Sequence, residues 1–330
     1  MMETKNYLDD VTPYYWETCK KTEIDGTSSE KRIPICLCLD LSGSMWNDRH
    51  GTPSIERLKK GIRKFFNDIK NSDSGRSAEV AVVGFVNKGV ILQDFDLADS
   101  FTEKKIQSLI DSLLPNYEHL PAKIMRCGDL ESGVQQSLCV LDSRKKLYQK
   151  YGIPYCQPML VLMTDGVPTR GSGKNLEILD ASRMKAMVAD IEERRKSRKL
   201  SVISVYCARG SQEDKEAVDF LKKLINPNDE VYCIDDKQPK SFDKFFVFLS
   251  MSVSAASRGK AIDIKKFNAN VEKTMAIGGP SDDIDVKNLE ASFSDFYSDI
   301  SEPATLDSSE EKGSSDPELE EYLKGFLGGD

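Results

Sequence analysis

Asp40-Leu41-Ser42-Gly43-Ser44 sets one carboxylate and two hydroxyls at alternate positions around a glycine, which places three oxygen donors about one point. A second carboxylate, Asp165, stands in Met163-Thr164-Asp165-Gly166. Few carboxylates combined with hydroxyls make a hard donor set of the kind that suits Mg²⁺ or Mn²⁺, ions that keep several waters. Competing chemistries lack parts. A phosphate-cradling loop needs GxxxxGK[ST], which is not in the chain. A phosphatase with an aspartyl nucleophile at Asp40 needs a second Asp two residues on, where Ser42 stands. The two histidines, His50 and His119, have no GxSxG elbow to serve, and Cys127 has no identifiable base and reads as an ordinary thiol. These residues describe a binding site rather than a catalytic one.

Both candidate loops leave apolar runs, and those runs set the architecture. Ile33-Pro34-Ile35-Cys36-Leu37-Cys38-Leu39 reads as a strand buried on both faces. The pattern recurs at Val80–Phe85, Met159–Met163 and Val202–Tyr206. Asn87-Lys88-Gly89 is a turn signal, so Val90 to Phe95 is expected to fold back as an antiparallel edge strand. A further short strand is expected at Glu230–Ile234. Between them Ile55, Leu58, Ile62, Phe65, Phe66 and Ile69 recur at helical spacing, as do Ile106, Leu109, Ile110 and Leu113. Other helices are expected over 130–150, 175–198, 214–225 and 240–257. This alternation predicts an α/β fold: a Rossmann-like, doubly wound, mostly parallel sheet with one antiparallel edge strand. Ligands of such sheets bind beyond the carboxyl ends of the strands, where both acidic loops lie.

Domain organisation follows from composition and charge. An N-terminal extension (1–32) precedes one α/β domain (33–259), and 260–330 reads as an acidic, low-complexity tail. Residues 281–330 carry 15 acidic and 3 basic side chains, a net −12, which leaves +4 on the other 280 residues. Such a tail cannot bury enough apolar surface to fold alone, and its charge argues against a nucleic-acid partner. One amphipathic stripe interrupts it: Leu319, Tyr322, Leu323, Phe326 and Leu327 after Pro317, a short helix near 317–327 expected to dock on the body or in a partner's groove. No run approaches the ~18 apolar residues of a membrane span, and the opening residues lack a signal peptide's pattern, so a cytoplasmic protein is expected. The eight cysteines form no CxxC pair and read as thiols of a reducing compartment, not as zinc ligands or a disulfide framework.

The two loops carry a family resemblance. Asp40-Leu41-Ser42-Gly43-Ser44 matches the DxSxS signature of von Willebrand factor A (vWA) domains, and Thr164-Asp165-Gly166 after a buried strand is similar to their second acidic loop. The resemblance implies a metal-ion-dependent adhesion site (MIDAS) with Asp40, Ser42, Ser44 and Asp165 as its metal set, and a protein partner whose carboxylate completes the coordination. The family's threonine from a middle loop has no match: in Cys127-Gly128-Asp129-Leu130, Gly128 falls at its place, and Asp129 is the candidate substitute. Phe245–Ser254 resembles the last helix of bacterial, cytosolic, stand-alone members of the TerY or YegL type. That likeness spans about residues 30–258. It implies a non-enzymatic interaction module of a cytosolic multiprotein system, in stress or tellurite resistance or in phage defence, with a kinase, phosphatase or defence component as partner. The alternative is a metal-independent scaffold that recruits through its C-terminal helix, and a metal-assisted hydrolase is a third reading.

Overall fold

The longest apolar run becomes the centre of the sheet. Strand β1, Ile33–Asp40, is buried at every residue, because neighbours cover both of its edges and helices cover both of its faces. The computed structural model describes residues 31–46, 53–86, 88–113, 129–166, 169–170, 177–178, 185–208, 213–225, 229–235, 240–258, 260–262, 267 and 297–299. Six strands form the main sheet: β1, β2 (Ala78–Phe85), β3 (Gly89–Leu97), β4 (Met159–Thr164), β7 (Ser201–Ala208) and β8 (Tyr232–Asp235), in the order β3-β2-β1-β4-β7-β8. All neighbours run parallel except β2 and β3, the expected antiparallel hairpin. Chain order reverses between β1 and β4, which makes the gap at their carboxyl ends the switch point of a doubly wound sheet.

Side-chain alternation along β1 separates two cores. Ile33, Ile35, Leu37 and Leu39 face the layer built by α1 (Ser54–Lys70), α2 (Glu103–Ser112) and α6 (Lys240–Ser257). Cys36 and Cys38 face the layer of α3 (Leu130–Tyr151), α4 (Lys185–Lys196) and α5 (Glu213–Leu221). The expected helix over 175–198 is shorter than its pattern. Glu177–Ile178 (β6) instead pairs antiparallel with Thr169–Arg170 (β5), across a sequence carrying Gly171 and Gly173. The folded chain also continues past 259. Lys260–Ile262 (β9) pairs with Tyr297–Asp299 (β10), and Phe267 is fully buried, edge-on to Phe248 at 5.2 Å. The stripe at 317–327 and the extension before residue 31 lie outside the described residues.

Two contacts hold the layers in place. Gly61 lets α1 approach α6 so closely that an added Cβ would overlap the Phe246 ring. At the amino end of the sheet, Glu79 of β2 is fully buried and accepts from Arg144 Nε at 2.6 Å and from the Tyr148 hydroxyl, while Arg32 Nε lies 3.7 Å away. Burial, with the Glu79 charge beside it, pushes the Tyr148 hydroxyl well above its ordinary pKa, so it stays a donor to the carboxylate.

Gly61→Ala should destabilise the protein. The helix-propensity gain of about 1 kcal/mol is outweighed by overpacking of roughly 1–3 kcal/mol against an aromatic ring that cannot swing aside, and thermal melting reads the net loss. Glu79→Ala should cost more, about 3–5 kcal/mol in chemical denaturation, because it strands the buried Arg144 guanidinium. Replacing Arg144 with Met in the same chain should recover most of that loss.

Candidate metal centre

The site begins where β1 stops. Asp40 is the last residue of the strand, and the chain turns there because Asp40 Oδ1 accepts the Ser42 backbone N–H at 2.8 Å. A single helical turn, Gly43–Trp46, follows, with Met45 N–H bonded to the Ser42 carbonyl at 3.0 Å. Two further bonds anchor this loop: Leu41 N–H to the Phe85 carbonyl at 2.9 Å, and the Trp46 indole N–H to the Leu41 carbonyl at 3.2 Å. The second acidic loop leaves β4 at Thr164. Pairing of Leu39 with Met163 sets Asp40 beside Thr164, and Thr164 Oγ1 lies 2.7 Å from Asp40 Oδ2.

The four residues expected to form the metal set come together. Ser44 Oγ donates to Asp165 Oδ1 at 2.7 Å, and Ser42 Oγ and Ser44 Oγ are 3.0 Å apart. Because the Ser44 proton goes to Asp165, the proton between the serines belongs to Ser42, and the relay runs Ser42 to Ser44 to Asp165. Asp40, Ser42 and Asp165 are each 3% exposed and Ser44 is half-buried. Two carboxylates are therefore packed into one buried network of hydroxyls.

The donor chemistry of this network suits a small divalent cation. In an octahedron with metal–oxygen bonds of about 2.0–2.1 Å, adjacent ligand oxygens lie about 2.9 Å apart. The 3.0 Å between the serine oxygens fits that spacing and is equally the ordinary length of their shared hydrogen bond, so coordination would need little movement of either oxygen. Among the described residues no group of three or more His, Cys, Asp or Glu side chains converges, which leaves the hydroxyls as necessary members of any ligand set here. Burial pushes the Cys36 thiol up to about 12 and the Cys38 thiol higher still, the Asp40 charge adding to the latter, so both are protonated at neutral pH in the metal-free protein.

Asp129, the candidate in place of the family's threonine, uses one carboxylate oxygen at the start of a helix. It is the N-cap of α3: its Oδ1 accepts the Ser132 N–H at 3.0 Å, and its own N–H bonds the Val86 carbonyl at 2.6 Å. That places it at the carboxyl end of β2, one strand from β1. Among the described residues no hydrogen bond joins it to the Asp40–Asp165 network. Ser132 Oγ in turn accepts from Gly89 N–H at 2.8 Å, so the start of α3 is fastened to the β2–β3 turn. Thr164, by contrast, sits inside the network although sequence reasoning assigned it no part. The one signal was its place between a buried strand and Asp165. Cys127, His50 and His119 lie outside the described residues.

No family model and no curated protein matches this chain. Among solved structures, the pilus adhesin SpaC from Lactobacillus rhamnosus GG is similar with a TM-score of 0.51 at 16% identity, over 69% of this chain and 31% of the adhesin. The vWF domain of the type V pili tip protein Mfa5 from Porphyromonas gingivalis gives 0.45 at 10% identity, over 68% of this chain and 97% of that domain. A von Willebrand factor type A structure from Catenulispora acidiphila gives 0.43 at 15% identity, over 71% of this chain and 44% of the other. The chain spans about a third of the adhesin's length, and at such identities the likeness is one of fold. With strand order β3-β2-β1-β4-β7-β8, one antiparallel edge and helices on both faces, that fold is a vWA-like α/β fold.

Proposed function

We propose that this chain is a protein-interaction module whose recognition surface is centred on Mg²⁺ or Mn²⁺ held by Asp40, Ser42, Ser44 and Asp165. The single observation that carries this reading is the buried hydroxyl–carboxylate network at the switch point, which assembles these four side chains from two strand ends. Bound there, the ion offers an open position to a carboxylate of the partner protein. The module is read as non-catalytic: the described part of the site gathers oxygen ligands and hydroxyl donors. A cytosolic setting suits the free thiols, of which Cys36, Cys38 and Cys207 are buried. Among the described residues no helix is long and apolar enough to cross a membrane. The resemblance to TerY- and YegL-type proteins favours a bacterial stress, tellurite-resistance or phage-defence assembly, with a kinase, phosphatase or defence component as the partner.

A second reading has its own support. Gly128 stands at the place of the family's threonine, and one oxygen of the candidate substitute, Asp129, is engaged at the α3 cap. That favours a scaffold with a degenerate metal site, recruiting partners through the stripe at 317–327.

Two experiments separate these readings. Saturating Mg²⁺ should raise the melting temperature of the wild-type chain, by the equivalent of about 2.7 kcal/mol at a hundred times Kd, and Asp40→Ala, compared with its own metal-free curve, should show no rise. Unchanged wild-type melting across millimolar Mg²⁺ and Mn²⁺ would refute the metal-centred reading. In affinity capture from the native cell, a partner should co-purify with wild type and be lost both with Asp40→Ala and with a chelator. Retention in both, together with loss on deleting 313–330, would establish the scaffold instead.

A further inference from the structure

We infer that Thr164 is the positioning residue of the metal centre: its hydroxyl fixes the Asp40 carboxylate at the site, so that removing this one hydroxyl weakens ion binding while every ligand remains. The inference rests on the metal-centred reading above. Thr164 ends β4 and is 2% exposed. Its Oγ1 lies 2.7 Å from Asp40 Oδ2, 3.3 Å from the Gly166 amide nitrogen and 3.4 Å from the Gly166 carbonyl oxygen. A threonine hydroxyl has one proton and two lone pairs. The proton goes to Asp40, the nearer acceptor and the charged one, and a lone pair accepts the Gly166 N–H.

One side chain thus ties the end of β1 to the turn that presents Asp165. Asp40 is held from both loops at once, Oδ1 by the Ser42 N–H of its own loop and Oδ2 by Thr164 of the other. The carboxylate plane is therefore fixed relative to the serines and to Asp165 before an ion arrives. Partners that orient metal ligands in this way are worth about 10–100-fold in metal affinity. Valine has the shape of threonine without either hydrogen bond. Serine keeps both bonds and lacks only the methyl group.

The test uses the full chain as wild type, Thr164→Val, Thr164→Ala and Thr164→Ser, with Mg²⁺ and Mn²⁺ titrated calorimetrically and the melting temperature of each measured in chelator. Thr164→Val and Thr164→Ala should raise the dissociation constant for Mg²⁺ about tenfold or more, and Thr164→Ser should stay close to wild type. Two independent removals of the hydroxyl keep the test decisive where one of them folds poorly. A merely structural threonine would lower the melting temperature in chelator and leave the dissociation constant alone. That result, or a loss with Thr164→Ser as large as with Thr164→Val, overturns the assignment while the metal-centred reading stands. A wild-type chain that binds neither ion overturns both.

Discussion

Parallel pairing of β1 with β4, in the register that sets Leu39 opposite Met163, is the constraint on which the rest of the structure depends. It ends the two strands side by side, so that Asp40 meets Thr164 across the gap and Asp165 falls within reach of Ser44. A slip of one residue would send Asp40 and Thr164 to opposite faces and break the network. The register is enforced from below as well as above. Leu37 and Val161 belong to one apolar layer, Cys38 and Leu162 to the other, and a one-residue shift would mismatch both.

How much of this was legible in the sequence depended on how local the cause is. The four buried strands announce themselves because a strand covered on both faces must be apolar throughout, and β1, β2, β4 and β7 appear where the runs lie. The hairpin to β3 was legible through Asn87-Lys88-Gly89, and α6 matched its pattern to the residue. The four clustered side chains were readable from two short motifs. What could not be read were partnerships of long range and no period. Thr164 meets Asp40 across 124 positions, and Arg144 meets Glu79 across 65. Asp129, singled out by its neighbourhood as a candidate ligand, also caps α3, as an acidic residue just before an apolar helix ordinarily does.

The sheet divides its labours between its two ends. The amino end holds the buried Glu79, Arg144, Tyr148 and Arg32 group, which ties β2, α3 and the approach to β1. The carboxyl end holds the turns after β1 and β4, whose hydrogen bonds gather Asp40, Ser42, Ser44 and Asp165. The β3 edge is also closed to a further strand: Asp94 and Asp96 turn their carboxylates back to accept the Phe95 and Leu97 N–H groups, and Lys105 pairs with Asp96. Strand addition along this part of the edge is thereby hindered.

The central position of β1 also orders the pairing of the sheet during synthesis on the ribosome. β2 and β3 follow β1 closely in the chain and can pair beside it early. The other edge of β1 must wait for β4, and Asp40 waits for a partner 124 residues downstream. At synthesis rates of about 5–20 residues per second, that interval is roughly 6–25 s, during which one flank of the fully buried central strand has no neighbour. The nascent half-sheet is thus exposed to chaperones and to association with other chains for seconds. Emergence of β4 covers that flank and brings Thr164 beside Asp40.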